Sequence, residues 1–244
     1  GLVYSLQPKW VPGMYVGFSK IRMTYQNEFF SEASASMGSW FMRYAMPKEQ
    51  AEIYFEYGRP DTDLNIANIF QSTSYARGYT AGLKKGYSLG KTDQQVLLGA
   101  EITTLSLPEK EQVDLEPKSW YLDDYIRQGF THKGRVLGSG IGPGSNSQTV
   151  YVQWMKKLSL VGLRFNRVIH NLDYYHSTKY YKSDHFNQYW ASLNAAIYFN
   201  WHYKQLSLSG EVSWQRDYNY NWEWIRYTYI GFENIGADEK NYGG

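Results

Sequence analysis

The chain has 244 residues with 25 basic and 23 acidic side chains, a formal charge of +2 and no long run of either sign, which disfavours a nucleic-acid partner. Cysteine is absent, so disulfide scaffolds and thiolate metal sites are excluded. No apolar run approaches the roughly 20 residues of a spanning helix, yet 24 Tyr, 9 Trp and 11 Phe accompany a mean hydropathy of -0.57.

Alternation of apolar and polar residues predicts ten strands, near 14 to 25, 39 to 46, 51 to 58, 75 to 85, 94 to 105, 149 to 156, 159 to 167, 189 to 201, 206 to 214 and 221 to 232. Most are close to the roughly 9 to 11 residues that a tilted strand needs to cross a bilayer. In the first, the phase breaks around Ser19 and Lys20, where a bulge is expected. In the third, Ala51, Ile53, Phe55 and Tyr57 oppose Glu52 and Glu56; in the fifth, Val96, Leu98, Ala100 and Ile102 oppose Glu101. In the eighth, one parity runs from the ring of Tyr189 through Leu193 and Ile197 to the ring of Trp201, with Asn194 on the other. Ring, aliphatic, ring is the order that two membrane interfaces select. The carboxylates Glu52, Glu56, Glu101 and Glu211 fall on the polar face, where Arg164 and Arg167 are expected to meet them.

The connectors alternate in length. "PKEQ", "GYSLGKTD", "KKL" and "HYKQ" are short, whereas residues 59 to 74, 106 to 148 and 168 to 187 are long. Tight turns on one edge and long loops on the other characterise outer-membrane barrels. Amphipathic rings in abundance agree, because they gather where one end is dry and the other wet. The expected fold is therefore all-β, an antiparallel transmembrane β-barrel with about ten strands present. The chain opens at Gly1 without Met or a cleavable leader, as expected of a processed chain or a piece of a longer one.

The longest connector contains "VLGSGIGPGSNSQ". A dinucleotide fingerprint fails there because Pro143 stands where its third glycine belongs, and a Walker loop fails for want of Gly-Lys-Ser/Thr. Two readings stay open: a tightly packed loop using glycine's conformational freedom, or an anion cradle of backbone N–H groups. Residues 122 to 128 are predicted to form a short helix, with Gly129 as its stop signal. In the other long connector, His170, Asp173, His176, Asp184 and His185 lack compact metal spacing, and with Ser177 or Ser183 they fix no hydrolytic site.

The run "SWYLDDYIRQGFTHKGRVLGSGIGPGSNSQ", with "MYVGFSKI", "AEIYFEYGRPD" and "SYARGYTAGLKK", resembles the Wzi-type capsule assembly family of Gram-negative outer membranes. The likeness extends from Met14 to about Asp173; beyond it only the strand pattern continues. It implies that residues 1–244 are a single barrel domain, the C-terminal part of a longer chain of about eighteen strands. It also implies a non-enzymatic, lectin-like protein without cofactor that retains capsular or surface polysaccharide in the bacterial cell outer membrane, in contact with lipid and other envelope proteins. Sugars are bound by rings on their apolar faces and by planar polar groups at their hydroxyls. The connector supplies both in Trp120, Tyr121, Arg127, Gln128, His132, Arg135, Asn146 and Gln148. The polar face leaves an alternative, a diffusion channel or a structural barrel subunit of an envelope complex.

Overall fold

The computed structural model describes residues 1–24, 34–60, 77–90, 93–107, 120–121, 129–133, 135–177 and 189–222. Strands β1 (Leu2–Leu6), β2 (Met14–Thr24), β3 (Ser34–Met46), β4 (Ala51–Pro60), β5 (Gly78–Ser88) and β6 (Gln94–Thr104) precede a two-residue hairpin, β7 (Thr131–His132) and β8 (Arg135–Val136). Then follow β9 (Asn146–Lys156), β10 (Ser159–Ile169), helix α1 (Leu172–Ser177), β11 (Ala191–Tyr203) and β12 (Leu206–Tyr218). All but β7 and β8 form one antiparallel sheet of ten strands in chain order, with β6 beside β9. The chain is all-β, and nine predicted strands are present. Among the described residues β1 and β12 remain the two ends of the sheet, so no closed barrel is formed.

Three expectations need correction or fall away. The tenth predicted strand begins instead as a 3-10 turn, Tyr220–Trp222, and its remainder lies outside the described residues, as does the helix expected over 122 to 128. Strand β1 was not predicted, because five residues show too little alternation to read. No bulge interrupts β2, since Ser19 pairs with Ser39 and Lys20 with Gly38 in unbroken register. The phase change at Lys20 has another cause. Above it the faces exchange character: Lys20 stays on the face of Val16 and Phe18, while Met23, on the opposite parity, packs against the buried cluster of Met37, Leu105 and Trp120.

Each strand has an apolar and a polar face. Ile53, Leu83, Val150, Phe165, Ile197 and Trp214 are exposed on the first. Along one of its rows Tyr4, Phe18, Trp40, Tyr57 and Tyr79 are neighbours on five successive strands. The Phe18 and Trp40 ring centroids lie 5.5 Å apart. At the opposite border stand Trp154, Tyr87, and the stacked pair Trp201 and Tyr203.

The apolar band runs obliquely across the strands. The ladder row through Phe55, Ala81 and Ile102 becomes polar at Gln148, Arg167 and Arg216, whereas on β4 the first charge of this face is Arg59, four residues beyond Phe55. The other border slips the same way: Lys85 on β5 shares a row with Val152 on β9, where the first charge is Lys156. At the first border four residues at about 3.3 Å, against the three strand spacings of about 4.8 Å from β4 to β9, correspond to a slant of about 40°; at the second the same shift is made over the two spacings from β5 to β9, a steeper slant of about 54°.

The polar face is a network of paired groups. Arg43 and Lys84 meet Glu52 at 2.5 and 3.4 Å, Arg164 meets Glu211 at 2.6 Å, and the Tyr54 hydroxyl donates to Glu101 at 2.5 Å. Arg164 thus lies where expected. Arg167 does not: it lies on the apolar-face parity beside Gln148 and donates to its Oε1 at 2.7 Å. An odd offset along β10 separates the two arginines, and strand side chains alternate faces with period two. Three tyrosine rings lie across neighbouring glycines, Tyr54 over Gly82, Tyr151 over Gly99 and Tyr198 over Gly162, where any Cβ would overlap the ring. These slots follow the same slant as the apolar band.

Candidate functional site

The four longer connectors of the sheet leave from one edge, and the longest folds back onto the polar face of β2 to β6. Trp120 fills the space left by Gly58 and Gly78; a Cβ on Gly78 would lie 2.7 Å from its ring. Around it Met37, Leu105, Leu107, Tyr121 and Phe130 form a buried cluster. Tyr121 takes φ 67, and its hydroxyl accepts a bond from the Ser139 N–H at 2.9 Å. Phe130 N–H donates to the Tyr121 carbonyl and Leu137 N–H to the Phe130 carbonyl, which orients the β7 and β8 hairpin. Burial raises the Tyr121 phenol above its ordinary pKa, and the negative charge of Glu56 adds to the effect.

The glycine run closes the connector. Ser145 is 2% exposed; its carbonyl accepts from Leu105 N–H at 2.8 Å, and its hydroxyl accepts from Asn171 N–H at 3.0 Å. Leu172 N–H donates to the Gly144 carbonyl at 2.8 Å, and Asp173, also 2% exposed, accepts from Leu107 N–H at 2.7 Å. At Gly144 (φ 59) a Cβ would stand 2.7 Å from Asn171 Oδ1 and 2.9 Å from the Asp173 carboxyl carbon. The space beside this glycine is thus occupied by the chain's own carboxylate. The packed-loop reading accounts for the run, with no need of a foreign anion.

The residues proposed for sugar contact are dispersed. Trp120 and Tyr121, each 6% exposed, have rings 5.8 Å apart inside the connector's core. His132 and Arg135 are exposed and directly paired across the hairpin. Asn146 is half-buried and accepts from the Ser106 hydroxyl at 3.0 Å. Gln148 is exposed on the apolar-face parity with Arg167. Arg127 and Gln128 lie outside the described residues. Thus His132 and Arg135 form the exposed polar patch of this set, while the two rings form its support.

One polar cluster escaped the sequence reading. The Ser192 hydroxyl donates to Asp217 and accepts from His170 Nε2 at 2.7 Å, while the imidazole stacks on Trp190 with centroids 4.1 Å apart. In a nucleophilic triad the imidazole receives the hydroxyl proton and lies between the other two groups. Here serine is in the middle and its proton belongs to the carboxylate, an arrangement that ties β10, β11 and β12 together. Burial holds the His170 pKa below its ordinary value, partly opposed by the charge of Asp217. The alternation of strands gave no hint of it, because Ser192 and Asp217 become neighbours only through the β11 and β12 register.

Among the described residues no three of His, Asp and Glu gather at a spacing that would hold a metal ion. Of the loop residues considered for one, Asp184 and His185 lie outside the described residues. No helix among the described residues is long and apolar enough to cross a membrane. Neither a protein-family profile, nor a curated protein, nor a solved structure matches the chain.

Proposed function

We propose that this sheet is part of the wall of an outer-membrane barrel, and that its long-connector edge, turned to the cell surface, retains capsular polysaccharide without catalysing a reaction. The observation that carries the membrane half is the slanted apolar band. Strands tilted through a flat hydrocarbon slab must display such a band, obliquely to their ladder rows, and the slant of about 40° at the long-connector border falls within the roughly 35–45° tilt of membrane barrels, the other border being steeper. Rings at its borders and a charged, largely paired network on the other face support the same reading, since rings favour the two interfaces and a water-filled interior accommodates charge.

The polysaccharide half rests on the likeness of the long connector to the capsule assembly family and on the exposed His132 and Arg135. Arginine offers bidentate hydrogen bonds to a sugar carboxylate, and the packed rings beneath give the hairpin a rigid base. The competing reading, a diffusion channel, draws on the charged belt of the polar face. Replacing His132 and Arg135 together by alanine in a capsulated host separates the two. Retention by this surface requires capsule to appear in the medium while surface abundance of the barrel is unchanged. Unaltered retention, with altered single-channel conductance on changing Arg164, would favour the channel.

A further inference from the structure

Beneath the folded connector lies a cavity of about 310 Å³, bounded by the polar face of β2 to β6 and by Trp120, Tyr121 and residues 137 to 139. We propose that it binds a small organic cation, a primary ammonium on a compact apolar body. The register places its floor. Glu56, Thr80 and Thr103 are side by side on three strands; the next row on the same face holds Ser19, Ser39, Gly58 and Gly78, and the one beyond Ile21 and Met37. The two glycines seat the Trp120 indole against the sheet at one side of the cavity, and Met37 and Leu105 make a wall apolar.

Charge selects the ligand. The carboxylates of Glu52, Glu101 and Glu211 are each satisfied by a cation or a phenol. Glu56 alone of the four has no ion pair or hydrogen bond among the described residues, and it borders the cavity. Beside it the hydroxyls of Thr80 and Thr103 bond each other at 3.1 Å, as do those of Ser19 and Ser39 at 2.7 Å, and each pair keeps spare lone pairs for an incoming N–H. An ammonium supplies three donors to such a set. The apolar walls exclude a ligand that is polar throughout.

The test compares 2-amino-1-phenylethanol with 1-phenylethane-1,2-diol, which has the same shape but no charge, by calorimetry on the detergent-solubilised protein with empty micelles as blank. The cation is expected to bind at least about tenfold more tightly than the diol, since hydrogen bonds to charged groups contribute about 1.5–3 kcal/mol. Glu56→Gln, which keeps the side-chain shape, should erase that difference and leave diol binding unchanged. On the unaltered protein, rising salt should weaken the cation and spare the diol, so the outcome does not hang on the variant's folding. Equal affinities for cation and diol, full binding by Glu56→Gln, absence of cation binding at millimolar concentration, or tighter binding of a neutral hexose would each overturn the proposal.

Discussion

The carboxylate of Asp173 accepts a hydrogen bond from the backbone N–H of Leu107 at 2.7 Å, so the two long connectors that follow β6 and β10 are joined across 66 residues of sequence. Both groups are buried, with Asp173 2% exposed and Leu107 4%. Asp173→Ala leaves that N–H without its partner and opens space beside Gly144, at a cost of about 1–3 kcal/mol. The expected result is faster proteolysis within residues 105 to 145 with the strands still protected. Unchanged cleavage rates would mean that the clasp does not hold the connector.

The Trp120 slot makes a second prediction. Gly78→Val puts side-chain atoms where the indole lies, so Trp120 is expelled and the connector loosens, seen as red-shifted tryptophan emission. Gly140→Ala is the control, because nothing lies within 4 Å of a Cβ there and its φ is ordinary. Its spectrum should match that of the unaltered protein.

Depth within the apolar band orders three arginine substitutions on β11. Ile197, 55% exposed on the apolar face, shares a row with Leu98, Val152, Leu163 and Val212, so Ile197→Arg should cost roughly 2–4 kcal/mol if lipid covers this face. Leu193 shares its row with Arg167 and Arg216, and Leu193→Arg should cost only about 0–1 kcal/mol, as near an interface. Asn194, on the polar face, should tolerate the change as well. Folding titrations into lipid vesicles measure the order; equal costs at 197 and 193 would remove the slanted band as a guide to depth.

Acid should loosen the connector that follows β10. His170 has a folded-state pKa held down by burial, so the unfolded or opened state binds a proton more readily. Its contribution to stability is therefore complete above the unfolded value of about 6.5 and is lost as pH falls from there toward the folded value. Protection of residues 170 to 177 against hydrogen exchange, taken relative to the intrinsic rate at each pH, should fall over that window, and His170→Gln should flatten the dependence. A profile that is already flat in the unaltered protein would contradict the assignment.

Much of the sheet was legible in the sequence, because strand side chains alternate with a period of two and each long strand carries enough residues to show it. Ala51 to Tyr57 and Val96 to Ile102 displayed their two faces without any partner. The lengths of the connectors likewise announced two unlike edges. What the sequence by itself could not determine is where a face changes its surroundings along a strand. At Lys20 the alternation changes phase although the backbone there is regular; the apolar band ends, and the opposite face begins to support the folded connector. Composition alone groups Arg167 with Arg164, but the offset of three places it with Gln148 on the other face. Trp120 and Tyr121 looked like rings for a ligand until Gly58, Gly78 and Ser139 enclosed them, and the glycine run kept two meanings until Asp173 filled the space at Gly144. Local periodicity is a property of neighbouring residues, whereas burial and pairing between residues 66 positions apart depend on which strands the register brings together, and only the tertiary structure decides that.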